Sequence, residues 1–490
     1  MEKLYYCESI AKIDEISQKE FNQPGIILME QAGLKAWQYM KNKIKHSDKI
    51  LIVAGGGNNG GDALVIARCA INDGFNNIKI LYCSNKFSES TLIQKKILEK
   101  YNVESIFIDD DSSLVFREIN DASIIVDGIF AIGLKSKIRV NSEKLINNIN
   151  ESNAIVYSVD VPSGISDVVN EVSINANYTF CMGPLKLLYY FHKNILKCGQ
   201  IIEINPSFPP FAISKVEESA YIEESLNHNI KALAMTDYKK SRGHLAVFGG
   251  STQYSGALRL TSKAAFTSRC GLVSVFCDKD IYNIVATESP SIIVNIIKDN
   301  FDLNPYDAIL VGPGWSNNRE HLLKKLLFFN KPMVIDADGI RAFANLYKKE
   351  RINMDNKQII FTPHLGELKA LADAVLVDYS LNNTVDFIKS LKDLSSKLNS
   401  VIVCKASVTY IVSPNNKPII IKNLNPSLAV AGSGDVLAGC ISSLLANTKD
   451  LYNSAIEGVK IHSKAGLLAN KDVGFYTSEE LMKYIGIQLS

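Results

Sequence analysis

At 490 residues the chain is too long for one ordinary hydrophobic core, so two domains are expected. Lysine and arginine number 53 against 51 acidic residues, which leaves no cationic excess for nucleic acid or a membrane surface as the main partner. Nine scattered cysteines without C-x-x-C, seven histidines without metal-ligand spacing, no membrane-length apolar run and no signal-like start lead to the expectation of a cytoplasmic protein without a transition-metal centre.

The first 45 residues read as helical. From Lys49 to about Ile204, short β-branched runs alternate with helical patterns: KILIVAGGG, ALVIARCAI, IKILYC, TLIQKKILEK, SIIVDGIF, AIVYSVDVPSG. The strands are apolar throughout, as in a parallel sheet covered on both faces. The stretch NPSFPPF, residues 205–211, places three prolines in seven positions and is read as the region of a domain boundary. A second alternation begins with HLAVFGG at His244 and passes through AILVGPG, PMVIDADG, QIIFTPH and SVIVCKA to AGSGDVLAGCISSLLA. The expected division is into two different α/β modules, residues 1–210 and 220–490.

Within the first module, GGGNNGGD at residues 55–62 spells G-x-G-x-x-G between a strand and a helix, where a dinucleotide's phosphates would meet helical N–H groups. Two features depart from an ordinary dehydrogenase. The next strand, IKILYC, runs into Ser84, Asn85 and Lys86 and offers no acidic residue for a ribose hydroxyl. Asp62 stands at the mouth of the phosphate site, where it would repel a pyrophosphate unless a cation or a proton-transfer role explains it. Asn58, Asn59, Asp62, Asp127, Asp160 and Ser163 all fall at strand ends, the ligand face of an open α/β sheet. Taken singly, each has a plain reading as a turn or cap residue.

GGGNNGGDALVIAR, VDGIFAIGL, SVDVPSGI and the upstream IILMEQAG together resemble the NAD(P)H-hydrate epimerase family over roughly residues 1–210. The resemblance implies a Rossmann-like three-layer domain that interconverts the R and S forms of hydrated NADH and NADPH at C6. It implies a potassium ion with Asn59, Asp127 and Ser163 in the ligand positions; oxygen-only ligation suits a hard cation. It puts Asn58, Asn59, Gly60, Gly61 and Asp62 on the substrate, with Ala131, Ile132, Gly133, Leu134, Lys135, Ser136 and Lys137. Asp160 is the acid/base candidate, and Lys186 in GPLK matches the lysine that closes the same pocket. Ala63 stands where glycine is usual, and FAIG where FGTG is more typical.

In the second module, Gly432 and Gly434 free the start of a helix from side-chain bulk and make an anion hole for a transferring phosphoryl group. Asp435 beside it is placed to take a proton from an attacking hydroxyl, or to act as an ordinary cap. The pattern resembles the ribokinase-like α/β fold. Within it, FGGSTQYSGA, LVGPGW, VIDADGI, FTPHLGEL, VIVCKASVTYIV and NPSLAVAGSGDVLAGC resemble the NAD(P)H-hydrate dehydratase family over roughly residues 220–490. That resemblance implies ADP as co-substrate, with Mg2+, for dehydrating the S hydrate. Ala257, Gly314 and His364 fall in its hydrate-binding positions and Asp435 in the base position. Lys405, Ala406, Ser407, Val408, Thr409, Gly432, Ser433 and Gly434 match nucleotide contacts. Ala406 and Ser316 replace usual glycines, Ser433 a threonine, and Ser241–Arg242 stand for the lysine before Gly243.

The expected partners are therefore hydrated NADH or NADPH and ADP, with no nucleic acid and no membrane, in a homo-oligomer. Two rival readings follow from the same residues. One is a ribokinase-like vitamin or sugar kinase with a stable phosphorylated product. The other makes the first module a non-catalytic binding domain, as in scaffolds of RNA decay. Intact Asn59, Asp127 and Asp160 disfavour the second.

Overall fold

A computed structural model describes residues 1–133, 138–166, 172–287 and 290–489. The chain divides into two compact units, one of Lys3–Ala220 with Leu381–Val385, the other of Tyr221–Ser380 and Asp386–Ser490 with Met1–Glu2. A short strand β1 (Glu2–Leu4) and the helices Cys7–Glu20 and Gly25–Met40 come first. NPSFPPF opens a short helix, Pro210–Ser214, because proline at the first helical positions sacrifices no hydrogen bond.

The first unit is built on β2 (Ile50–Ala54), β3 (Ile78–Tyr82), β4 (Glu104–Phe107), β5 (Ile124–Gly128), β6 (Ile155–Val159), β7 (Tyr178–Met182) and β8 (Gln200–Ile204). All pair in parallel, in the order β4-β3-β2-β5-β6-β7-β8. Strand β2, ILIVA, is buried along its whole length. Ile50, Ile52 and Ala54 face one core with Trp37 and Leu64, while Leu51 and Val53 face another with Ile119 and Ile146. Burial of both faces gives the three-layer sandwich and explains the unbroken apolar strands. The register sets Asp127 opposite Ser158 and Ala54 opposite Gly128, so the polar residues that end β5 and β6 lie side by side next to the end of β2.

The second unit contains β9 (Ala220–Glu223), β10 (His244–Phe248), β11 (Leu272–Cys277), β12 (Ile293–Ile296), β13 (Ala308–Val311), β14 (Met333–Ile335), β15 (Ile359–Phe361), β16 (Val401–Lys405), β17 (Thr409–Val412) and β18 (Ile419–Ile421). Their order is β9-β18-β17-β16-β15-β14-β13-β10-β11-β12. Only β17 runs antiparallel to its neighbours. Helices Ser255–Thr267, Ser433–Thr448 and Leu451–Val473 bury Leu258, Leu437, Ile441 and Val459 against one face. On the other, Phe343 meets Phe361 edge to face at 4.8 Å. Val311, Ile335 and Phe361 are in register at the carboxyl ends of β13, β14 and β15, which brings Asp336 and Thr362 together just beyond them.

Candidate active sites

In the first unit the glycine-rich turn carries the chain from β2 into the helix Asn58–Asn72. The turn folds tightly on itself: a Cβ at Gly60 would stand 2.0 Å from the Gly55 carbonyl oxygen, so any side chain there would force the turn open. Asn58, Asn59, Asp62, Ala131, Ile132 and Asp160 line a cavity of about 230 Å³ together with Asp14, Gln18, Met182 and Phe208. Asn58, Asn59, Ala131 and Gly133 also line a neighbouring crevice of about 830 Å³ over the glycine turn. Gly60 and Gly61 are buried against Gly55 and Met29. Leu134, Lys135, Ser136 and Lys137 lie outside the described residues. Ala63 is fully buried with its methyl against Gly128, facing the sheet and not the ligand.

Asp160 follows β6 in a left-handed conformation, φ 63°, with its N–H donating to the Phe180 carbonyl at 2.8 Å. Its carboxylate pairs at 2.7 Å with Lys186, which is 0% exposed and also donates to the Met182 carbonyl at 3.1 Å. Burial works against the Lys186 charge, yet Asp160 and Cys181 hold the ammonium above its ordinary pKa. Asp62 has no hydrogen-bond or ion-pair partner among the described residues. Burial, then the charges of Asp160 and Asp14, push it well above the usual carboxylate range. Asp14, on the helix Cys7–Glu20, accepts from Gln18 Nε2 at 3.0 Å and is itself raised, chiefly by burial.

Asp127, at the end of β5, is fully buried. It accepts from Ser163 Oγ at 2.5 Å, Ser163 N at 2.9 Å, Ser158 Oγ at 2.8 Å and Ile129 N at 3.3 Å. Burial raises its pKa, and these donors offset part of the rise. Asn59 donates to the Phe130 carbonyl at 3.0 Å, while its own Oδ1 is buried without a partner. An orphaned buried oxygen next to a carbonyl, a hydroxyl and a carboxylate fits a hard, weakly hydrated cation better than a transition metal.

In the second unit Gly432, at φ 85°, turns the chain into the helix Ser433–Thr448. Helical geometry leaves the N–H groups of the first turn without intrahelical acceptors. Lys405, at the end of β16, reaches this turn: its Nζ lies 3.6 Å from where a Cβ of Gly434 would stand. The same ammonium pairs with Asp336 Oδ1 at 2.8 Å, and Thr362 donates to that oxygen at 2.6 Å. Asp435 carries no such direct pair among the described residues. Burial and the nearby charge of Asp336 raise it to about 7, against an opposing pull from Lys405.

Ala406, Ser407 and Val408 form the turn between β16 and β17, with Lys405 opposite Thr409. Ala257 and Gly314 meet: a Cβ at Gly314 would lie 3.0 Å from Ala257 Cβ. His364 caps the helix Leu365–Val375, its Nδ1 accepting from Gly366 N at 3.0 Å and Glu367 N at 3.3 Å. Its Nε2 is 3.2 Å from Glu367, and the side chain is 55% exposed beside the strand end that carries Lys405. Ser433 is turned inward, its hydroxyl 3.2 Å from the buried His462 Nε2. Burial lowers His462 to about 4, so it stays neutral. Sequence patterns give no sign of Asp14 or His462 as site residues. Asp336 and Thr362 stand in VIDADGI and FTPHLGEL, each directly after an apolar strand, a position that signals the ligand-facing end of the sheet.

These two sites belong to an enzyme of two α/β modules, a Rossmann-like unit followed by a second unit on a largely parallel sheet. Residues 25–188 match the family model described as YjeF-related protein N-terminus, and residues 245–486 that described as NAD(P)H-hydrate dehydratase. The chain belongs to the family of bifunctional NAD(P)H-hydrate repair enzymes. It is similar to the enzyme of that name from Synechocystis, 28% identical over 94% of this chain and 90% of that one. The Dictyoglomus turgidum enzyme of the same name is 26% identical over 99% and 98%. A solved structure, the ADP/ATP-dependent NAD(P)H-hydrate dehydratase of Bacillus subtilis, is 21% identical over 53% of this chain and 93% of that one, with a TM-score of 0.46.

Proposed function

We propose that this chain repairs hydrated NADH and NADPH, its first unit interconverting the R and S hydrates at C6 and its second using ADP to return the S hydrate to the intact cofactor. One observation carries the reading: a single chain holds both a cavity lined by a lysine-paired and an unpaired carboxyl, and a glycine-opened helix start with an aspartate beside it.

For epimerisation, Asp62 in its protonated form donates to the departing C6 oxygen while the ring nitrogen pushes electrons toward C6. Water then adds to the other face of the flat iminium. Asp160, a carboxylate against Lys186, accepts the proton of that water, and the two proton transfers balance. Asn59 Oδ1, the Phe130 carbonyl, Asp127 and Ser163 would hold potassium. When bound, the ion supplies a fixed positive charge among these oxygens.

For dehydration, the N–H groups of the Gly432–Gly434 turn and Lys405 face the phosphates of ADP, and magnesium would enter on those phosphates. Asp435 takes the proton of the C6 hydroxyl as its oxygen attacks the β-phosphorus and AMP departs. Phosphate, a better leaving group than hydroxide, then leaves C6, and loss of a C5 proton restores the ring double bond. The remaining expectations form part of the same proposal: Ala257, Gly314 and His364 toward the hydrate, Lys405–Thr409 toward the nucleotide, a homo-oligomer, and a reducing cytoplasm. The nine cysteines are all free thiols, and among the described residues no helix is long and apolar enough to cross a membrane.

The test is incubation with mixed R and S hydrates with and without ADP. Epimer exchange should need no nucleotide, and the absorbance of the restored dihydronicotinamide should return only with it, together with free phosphate. A stable phosphorylated product would instead mark a kinase.

A further inference from the structure

The crevice over the glycine turn has a charge pattern that the chemistry at C6 does not use. Strand β2 lies between β3 and β5, and the chain leaves β2 toward β3 and β4, then returns on the other side through β5 and β6. This is the switch point at which open α/β sheets bind nucleotides. Asp160, after β6, therefore stands on one side of the turn, and the residues after β3 stand on the other. The reacting ring belongs on the Asp160 side, which leaves the adenosine half of a dinucleotide over β3.

Ser84 and Lys86 follow β3 and line the 830 Å³ crevice with the glycine turn, and Arg139 and Ser142 line the same crevice. The Lys86 loop is pinned to the turn. Ser88 N donates to the Gly56 carbonyl at 2.8 Å, Lys86 N donates to Ser84 Oγ at 3.0 Å, and that hydroxyl donates back to the Lys86 carbonyl at 2.8 Å. A Cβ on Gly56 would fall 2.1 Å from the Lys86 carbonyl oxygen, so turn and loop are in backbone contact.

At this strand end a carboxylate selects a free ribose 2′-hydroxyl, and a cation accommodates a 2′-phosphate. No carboxylate lines the crevice among the described residues, and its charged side chains are Lys86 and Arg139. Both are exposed, and neither is in an ion pair among the described residues. The pyrophosphate already has the N–H groups at the start of the helix Asn58–Asn72 to face. The two cations are left for a further phosphate.

We propose that Lys86 and Arg139 form a subsite for the adenosine 2′-phosphate, so that the first unit acts preferentially on NADPH hydrate. The proposal rests on reading that unit as an epimerase. A charge-assisted contact of this kind corresponds to about 10-fold or more in specificity.

The experiment measures kcat/KM for epimer exchange of NADPH hydrate and NADH hydrate, without ADP, in the full chain and in Lys86→Ala, Arg139→Ala and Lys86→Glu. The wild type should favour NADPH hydrate by about 10-fold or more. Each alanine variant should lose more on NADPH hydrate than on NADH hydrate, bringing the ratio toward one, and Lys86→Glu should bring it below one. A wild-type ratio near one, or variants that slow both hydrates equally, overturns the subsite. Exchange of neither hydrate overturns the epimerase reading instead. Calorimetric binding of NADP+ and NAD+ to wild type and Lys86→Ala then still reads the subsite: a Lys86-dependent preference for NADP+ keeps it, and equal loss for both ligands removes it.

Discussion

The two units use the same ingredients, an aspartate at a ligand-facing end and a lysine paired to a carboxylate, and connect them differently. In the first, Lys186 pairs with the acid/base candidate Asp160 itself at 2.7 Å. In the second, Lys405 pairs with Asp336 at 2.8 Å, and Asp435 is left at a pKa of about 7. The difference teaches that a base near neutrality arises where burial, then a neighbouring carboxylate, raises an aspartate whose nearest cation is paired elsewhere. In the first unit the unpartnered role falls to Asp62, which burial and its acidic neighbours push well above the usual carboxylate range.

Removing the carboxylate of the second unit should have the largest effect. Asp435→Asn is expected to slow ADP-driven dehydration by about 10²- to 10⁴-fold, with far smaller change in ADP binding and none in epimer exchange. Paired assays on this one variant, chromatography for the epimers and absorbance for repair, check it. A parallel fall in both activities would break the separation of the two sites.

Lys186→Met should come next, because it strands Asp160 as a buried, unpaired charge. The expected loss is about 3–5 kcal/mol in denaturant-induced unfolding of the first unit. Asp160→Asn keeps the shape of that side chain and should lower epimerisation at least about 10-fold with near-normal folding. Activity above that level would make Asp160 structural.

The pH profile sharpens the contrast between the lysines. Asp435 must be ionised to act as a base, so dehydration should fall as pH drops through about 7 and rise above it. Asp336→Asn frees Lys405 to pair with Asp435 and should move that midpoint down by about 1 unit or more. A midpoint that stays in place would show that the allocation of Lys405 is not what holds Asp435 high.

The smallest expected effect is ionic. Exchanging potassium for a bulky organic cation should weaken epimerisation, Asp127→Ala should mimic the exchange, and equal rates in both tests would remove the ion from the first site.

Much of this was legible along the chain. The alternation of apolar strands with helical patterns announces parallel sheets, since a strand buried on both faces has no polar side to show. The glycine turns at Gly55–Gly61 and Gly432–Gly434 announce helix starts open to phosphates, since their constraints act over a few residues. Asn59, Asp127 and Ser163 sit in short motifs and do converge. What the chain order could not disclose are pairings made across elements. Asp14 enters the cavity from a helix far ahead of the glycine turn, Thr362 and Lys405 meet on one oxygen of Asp336, and Ser433 turns away to His462. His364 shows the same limit from the other side, its Nδ1 committed to capping a helix that its motif begins. Periodicity and turn chemistry are local, and the sequence by itself determined them. Which lysine neutralises which aspartate depends on ångström-scale separations between distant segments and on burial, because charge interactions strengthen steeply as water is excluded, and only the tertiary structure decided that.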